Sequence, residues 1–518
     1  MNLSFAGGAA TTVVVSGTTG IGNELRVQLN QIGQTAGQDV TIDFSPIVRG
    51  TVNSLLKYSG GTANETIIGS AGDDSINASG GQNSVTGGVG NDTLRADSGF
   101  STLDGGLGDD SIAGSGISGL LSGGAGDDTI TQSTGRFESG AYQAVEITGG
   151  ADNDDISVGS IQGNGSTVRG DAGDDTIRLS GASLLDATLD GGTGTDRLEL
   201  ASSNLTGATI SGIESTTTTN NGTNTIDAAD FINLGTVTFT NTITTAGSTG
   251  VDANMNLSFA GGAATTVDVS GTTGIGNELR VQLNQIGQTA GQDVTIDFSP
   301  IVRGTINSLL TYIGGVANET ITGTSGDDSI NASSGQNSVT GGAGNDTLRA
   351  DSGFSTLLGG AGDDSIGGSG ISGLLSGGTG DDTITQSTGR FESGAYQAVE
   401  ITGGADNDDI SVISIQGNGS TVRGDAGNDT LTFSSANLLA GTVDGGAGDD
   451  LLELQSSNLT GTDFSGIEAT TILNNGFVTL DASEFVDLGT VTFTDTFPTL
   501  GQTIDDANIQ LSFAGGAA

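Results

Sequence analysis

The sequence contains no cysteine, no histidine and no tryptophan, only three prolines, and a single lysine, Lys57. Without cysteine there are no disulfides, thiolate metal sites or cysteine nucleophiles. Without histidine there is no H-E-x-x-H zinc site, and no G-x-S-x-G is present to supply a serine nucleophile. Positive charge is scarce: thirteen basic residues face sixty-one acidic ones, a net charge of −48. That balance excludes a nucleic-acid partner, which needs a basic footprint, and docking on anionic lipid. No run of about 18 apolar residues exists, so no membrane span is expected. The N-terminal "MNLSFAGGAATTVVV" lacks the basic region of a secretory signal. Aromatic residues are 4% and apolar residues 33% of the 518, which argues for a narrow, repetitive core. The partner that fits this charge is cationic, most simply a metal ion.

What is abundant is repetition. Residues 1–254 align without a gap to 255–508; "TTGIGNELRVQLNQIGQTAGQDVTIDFSPIVRG" occurs at 18–50 and again at 272–304. The last residues begin a third copy, so the expectation is a window on a longer tandem array. A finer repeat lies within each copy. Gly69, Gly87, Gly105 and Gly123 open matching loops 18 residues apart, followed by Gly149, Gly170 and Gly191 at intervals of 26, 21 and 21. The second copy opens its loops at Gly323, Gly341, Gly359, Gly377, Gly403, Gly424 and Gly445. Each reads G-G-x-G-x-D-x-U-x, where U is a large aliphatic: Ile76, Leu94, Ile112, Ile130, Ile156, Ile177 and Leu198 in the first copy. Ser70 and Asp171 replace the second glycine, and Asp152 the third.

Eighteen is twice nine, so a second half-coil is expected between loops. "ASGGQNSVT" (78–86), "ADSGFSTLD" (96–104) and "GSGISGLLS" (114–122) keep the aliphatic as Val85, Leu103 and Leu121 but carry Asn83, Ser101 and Gly119 at the acid position. Both halves supply core residues and only one supplies carboxylates. A glycine-rich hexapeptide followed by x-U-x is a tight turn plus a short strand. Two such units make a coil, and coils stack about 4.8 Å apart. Stacking would line up Asp74, Asp92, Asp110 and Asp128 on one edge. At an effective dielectric of about 20, charges ~5 Å apart repel by roughly 3 kcal/mol per pair. No basic residue lies within the loops to offset this. Ca²⁺ would, since it takes carboxylate and carbonyl oxygens in flexible geometry, whereas Mg²⁺ demands a tight octahedron and transition metals prefer His or Cys.

These loops resemble the RTX (haemolysin-type) calcium-binding nonapeptide repeats of bacterial secreted proteins. The resemblance covers about half the chain, 69–199 and 323–453. It implies an all-β fold of parallel β-roll (β-solenoid) segments, with Ca²⁺ between consecutive coils. The implied aspartate ligands are Asp74, Asp92, Asp110, Asp128, Asp154, Asp175 and Asp196, then Asp328, Asp346, Asp364, Asp382, Asp408, Asp429 and Asp450. The implied loop carbonyls are those of Gly88, Gly90, Gly106, Gly108, Gly124, Gly126, Gly342, Gly344, Gly360, Gly362, Gly378 and Gly380. Because the opposite edge lacks aspartate, calcium is expected on one edge only. The longer late coils suggest an extra side or a bulged loop.

The rolls at 69–199 and 323–453 are expected to alternate with β-rich linker segments at 1–68, 200–322 and 454–518. Strand-like alternation is visible in "ATTVDVSG" (264–271), "DVTIDFS" (293–299) and "GTVTFTNTIT" (235–244). "NELRVQLNQIGQ" (23–34) fits either strand or helix, and "DAADFINLG" (227–235) has room for one helical turn. The threonine runs at 215–225 and 236–244 suit exposed strand faces; ice binding is the sharper alternative. The function expected is a secreted, calcium-stabilised structural protein of the bacterial surface, of S-layer, fibre or adhesin-stalk type. Its partners are calcium and further copies of the repeat, with a surface glycan or anchor as a further partner. The alternatives are the calcium-binding region of a larger RTX exoprotein, and adaptation to high salt, which explains the charge but not its nine-residue phase. No enzymatic activity is expected. Family resemblance implies type I secretion.

Overall fold

A computed structural model describes the chain from 55 to 219 and from 309 to 473, residue 163 excepted. It also describes shorter segments at 2–4, 11–14, 24–30, 39–47, 223–227, 230, 233–240, 254–258, 265–268, 273–275, 278–284, 293–299, 302–303, 477–494 and 508–512. Two units, 1–256 with 271–274 and 257–270 with 275–518, hold the chain.

The alternation D-x-U-x decides the local structure. In an extended chain every second side chain shares a face, so the sixth-position aspartate and the eighth-position aliphatic must point the same way. In the strand Asp74–Ser79, Asp74, Ile76 and Ala78 are all buried while Ser75 and Asn77 face outward. The next coil repeats this with Leu94 directly beside Ile76. Ile112 and Ile130 extend the column in parallel register, and Ile156, Ile177 and Leu198 continue it. All seven aliphatics are essentially inaccessible to water. The column holds more than one apolar residue per strand, because Ala96, Val158, Leu179 and Leu200 are buried two residues further on.

A second parallel ladder closes each coil. In the first unit it runs through the strands Thr11–Val14, Asp39–Asp43, Asn64–Ile68, Ser84–Val89, Gly99–Leu107 and Ile117–Ala125. It continues through Val145–Ala151, Thr167–Ala172, Thr188–Thr193 and Thr209–Ser211. Its inward row, Ile67, Val85, Leu103, Leu121, Ile147, Val168, Leu189 and Ile210, packs against the first. The second unit builds the same pair of ladders, for example Ile330, Leu348 and Ile366 against Val339, Leu357 and Leu375. The expected all-β parallel solenoid is what forms, and no helix among the described residues is long and apolar enough to cross a membrane.

The irregular intervals have two separate causes. The 26-residue interval carries an antiparallel hairpin, Phe137–Glu138 with Ala141–Tyr142, whose exposed rings sit 5.0 Å apart. Phe391 and Tyr396 form the same hairpin in the second unit. The 21-residue intervals add a short third side: Gln162 bridges Ser183, which bridges Asn204, and Gln416–Asn418 pairs with Asn437–Leu439.

Parallel stacking extends beyond 69–199. The strand Glu24–Asn30 pairs with Leu55–Ser59 and resolves the ambiguous "NELRVQLNQIGQ" as strand over those residues; 23 and 31–34 lie outside the described residues. Ser215–Thr219 pairs with both Arg197–Ala201 and Thr236–Thr240. Residues 220–222 and 241–244 of the threonine runs lie outside the described residues. Thr265–Asp268 and Asp293–Asp297 are paired strands. The segment matching "DAADFINLG" in the second copy holds a short 3₁₀ helix, Glu484–Leu488.

Candidate metal centre

Each acidic loop joins the second ladder to the first, and glycine is needed there for two reasons. The second and fourth positions, Gly88, Gly90, Gly106, Gly108, Gly124 and Gly126, all take φ between 111° and 122°, a region that suits glycine. Gly342, Gly344, Gly360, Gly362, Gly378 and Gly380 do likewise, at 112° to 126°. Their carbonyls face the Cα of the same glycine one loop further on: Gly88 meets Gly106, and Gly106 meets Gly124, with no room for a Cβ. Where the motif departs, Asp152 and Asp171 hold φ of 78° and 75°, which short polar side chains tolerate best. The first-position glycines meet a different constraint. A Cβ on Gly87, Gly105 or Gly123 would strike the carboxylate of its own loop's aspartate and the carbonyl of the next loop's first glycine.

The structure brings all fourteen candidate aspartates into two buried columns, one per unit, with each residue 3% exposed or less. Within a column every aspartate acts on its neighbour in the same way. The backbone N–H of Asp74 donates to Asp92 Oδ1 at 2.7 Å, that of Asp92 to Asp110 at 2.6 Å, and that of Asp110 to Asp128 at 2.7 Å. The chain of bonds continues through Asp154, Asp175 and Asp196 at 2.7–2.8 Å despite the longer coils. Asp328, Asp346, Asp364, Asp382, Asp408, Asp429 and Asp450 repeat it.

The other oxygen has no such partner. The Oδ2 atoms of Asp110, Asp128, Asp154, Asp175 and Asp196, and of Asp364, Asp382, Asp408, Asp429 and Asp450, are buried without a hydrogen bond. A buried carboxylate oxygen left this way is costly. Burial accordingly pushes these acids up: Asp110, Asp128 and Asp408 to about 7, Asp154 to about 8, and Asp175, Asp364 and Asp382 to about 6. The backbone N–H bond pulls the other way, and neighbouring carboxylates add to the rise. Asp196, Asp429 and Asp450 are raised for the same leading reason. The first members differ. Both oxygens of Asp74 accept from Ser70 (N–H to Oδ2 at 2.6 Å, and the hydroxyl), and Asp328 is held likewise by Thr324. The departures at the second loop position thus supply hydroxyls to the acids that begin each column.

Asp127, the partner acid in the loop, belongs to an outer, exposed column. Its N–H donates to Asp109 Oδ1 and its own Oδ1 accepts from Asn153 N–H. The column runs Asp73, Asn91, Asp109, Asp127, Asn153, Asp174 and Thr195. Asparagine at Asn91 and Asn153 dilutes the like charge while preserving the acceptor.

The opposite edge uses the same bond without the charge. Glu65 N–H donates to Asn83 Oδ1 at 3.1 Å and Asn83 N–H to Ser101 Oγ at 3.3 Å; Glu319, Asn337 and Ser355 repeat this. Sequence reasoning missed Glu65 and Glu319. The signal was present, because Gly60-Gly61-x-x-x-Glu65-x-Ile67 places an acid at the sixth position and an aliphatic at the eighth. Burial raises both carboxyls to about 8, and the next positions on this edge, Asn83 and Ser101 or Asn337 and Ser355, are uncharged, so no column of carboxylates forms there.

The acidic edge offers oxygen donors only. Among the described residues no three carboxylates converge, so the donors available to an ion are one or two carboxylates plus loop carbonyls. Close to the bare oxygens lie the carbonyls of the next loop's first glycine, such as Gly123 beside Asp110 and Gly149 beside Asp128. Such a set suits Ca²⁺, a hard cation with flexible coordination.

Comparison with known proteins agrees. The family described as RTX calcium-binding nonapeptide repeat (4 copies) matches residues 59–94, 86–116, 120–131, 313–348, 340–370 and 417–435. No curated protein matches the chain. The loops at 149–154, 170–175, 191–196, 377–382, 403–408 and 445–450 lie outside those matches and are placed in the same columns by strand register. In both of its units, the chain carries RTX calcium-binding nonapeptide repeats, stacked as a parallel β-solenoid.

Proposed function

We propose that this is a secreted, non-catalytic structural protein of the bacterial surface, a fibre, S-layer-like or adhesin-stalk component, whose solenoid is completed by Ca²⁺ held between successive loops of its acidic edge. The column of buried aspartates supports this reading: from Asp110 to Asp196 and from Asp364 to Asp450, each accepts a backbone N–H with one oxygen and leaves the other beside loop carbonyls without a hydrogen bond. Asp92 to Asp196 and Asp346 to Asp450 would hold the ions, together with the carbonyls around them. Bound calcium supplies the positive charge that keeps the buried carboxylates ionised. The chain's own residues do the rest. The glycines admit close loop approach, the Oδ1 bonds set the register, and the aliphatic columns exclude water. The neutral opposite edge explains why one side of each coil suffices for the metal. Near-identical copies suit self-association, since each junction can reproduce the last.

The test is chelation of the purified chain. Excess EGTA is expected to abolish most of the β-signal in circular dichroism, and added Ca²⁺ to restore it. Full β-structure in EGTA would overturn the metal reading. Ordered arrays or filaments imaged on cells would support the surface role, and a diffuse soluble distribution would overturn it.

A further inference from the structure

The acidic columns do not stop where the nonapeptides stop. After Asp196 and Asp450 the loops lose the motif, reading Ser211-Gly212-Ile213-Glu214 and Ser465-Gly466-Ile467-Glu468. The strands that follow nevertheless keep register, Ser215 beside Arg197 and Ala469 beside Leu451. Glu214 and Glu468 therefore stand where an eighth sixth-position acid would stand. They also behave as one. Asp196 N–H donates to Glu214 Oε2 at 2.6 Å and Asp450 N–H to Glu468 Oε2 at 2.8 Å, the bond each aspartate accepts from its neighbour. The extra methylene of glutamate lets the carboxylate reach that position from a differently shaped loop.

The last gap also contains an unsatisfied donor atom. Asp196 and Asp450 are buried, and their Oδ2 atoms have no hydrogen-bond partner. Asp196 Oδ2 and the Gly212 carbonyl both lie within 3 Å of where a Cβ on Gly191 would sit; Asp450 Oδ2 and the Gly466 carbonyl surround Gly445 in the same way. One coil further on, the column position passes to Gly235 and Gly489, next to the paired residues Thr236 and Thr490. No acid follows.

We propose that Glu214 and Glu468 supply the closing carboxylate of each calcium column, holding one ion per unit beyond those the seven nonapeptides hold among themselves. This rests on the calcium reading of the acidic edge. The chemistry is the same, a hard divalent cation between a buried aspartate oxygen, a glycine carbonyl and a second carboxylate.

The experiment is calcium stoichiometry of the full chain, stripped with chelator and titrated with CaCl₂ alone, for wild type and for the pair Glu214→Gln with Glu468→Gln. Glutamine keeps the Oε1 acceptor for the aspartate N–H, so a purely structural cap would survive the change. The expected result is a loss of two calcium ions per chain, one per unit, with the remaining sites unchanged. Wild-type stoichiometry and affinity in the double variant would overturn the inference. An Asp128→Asn, Asp382→Asn control separates the two levels. If wild type takes up no calcium, the proposed function itself fails, whereas if only the control loses ions, this inference alone fails. Should the glutamine pair lose its β-signal in saturating Ca²⁺, Glu214→Asp with Glu468→Asp decides. A tenfold or greater weakening of the last two equivalents supports the proposal, and no change overturns it.

Discussion

Replacing Glu65 and Glu319 by glutamine is expected to stabilise the protein at alkaline pH. Each side chain is 1% exposed and accepts the N–H of Gly61 or Gly315 through Oε1 at 2.8 Å. Tyr58 and Tyr312 lie beside them, and their hydroxyls are raised by burial and stay protonated. Burial moves each glutamate from its ordinary 4.5 to about 8. The folded state therefore binds a proton that the unfolded chain releases above 4.5. Stability from this group is fully present below about pH 4.5, falls as pH rises, and is lost above about pH 8. At ~1.4 kcal/mol per pH unit the span corresponds to roughly 5 kcal/mol per site as an upper limit. Glutamine keeps the acceptor for Gly61 N–H and never ionises. With Ca²⁺ saturating throughout, melting temperatures of wild type and double variant should be close near pH 5. They should diverge steadily towards pH 8.5, the variant melting higher by several degrees. Parallel curves for the two proteins, or a variant that melts lower at pH 8.5, would refute the reasoning.

Two further outcomes follow from the acidic edge. Asp128→Asn keeps the Oδ1 acceptor for Asp110 N–H and removes a buried charge. In excess EGTA the variant should keep more β-signal than wild type, while the calcium midpoint for the affected sites should weaken by about tenfold or more, ~1.4 kcal/mol; equal effects with and without calcium would contradict the metal's role. Gly123→Ala and Gly140→Ala separate crowding from backbone strain. A Cβ at Gly123 meets Asp128 Oδ2 and, at 2.5 Å, the Gly149 carbonyl, whereas one at Gly140 meets nothing within 4 Å and bears only the strain of φ 87°. The first should cost about 3 kcal/mol or more and the second about 1 kcal/mol, read as shifts in thermal midpoint.

Much of this architecture was legible because it is written in short periods. The two-residue step from Asp128 to Ile130 puts carboxylate and aliphatic on one strand face, and the eighteen-residue step from Asp110 to Asp128 stacks them. Asn83 and Ser101 already marked the opposite edge as neutral. Single substitutions within the pattern were harder to read. Ser70 looked like a lapse from glycine, yet its hydroxyl is what holds Asp74. Glu65 and Glu214 escaped because neither sits in a complete G-G-x-G-x-D, although strand register gives both the positions of sixth-place acids.

Period, composition and charge by themselves determined a parallel β-solenoid with carboxylates on one edge, because repetition of local geometry admits few other ways to bury the aliphatics. Only the tertiary structure decided how each carboxylate divides its two oxygens between a neighbour's N–H and an open position. It also decided that the 26-residue interval becomes an aromatic hairpin while the 21-residue intervals become a third side. Those outcomes depend on contacts between residues 18 to 26 positions apart, and no local pattern encodes which of a carboxylate's oxygens the next coil will reach.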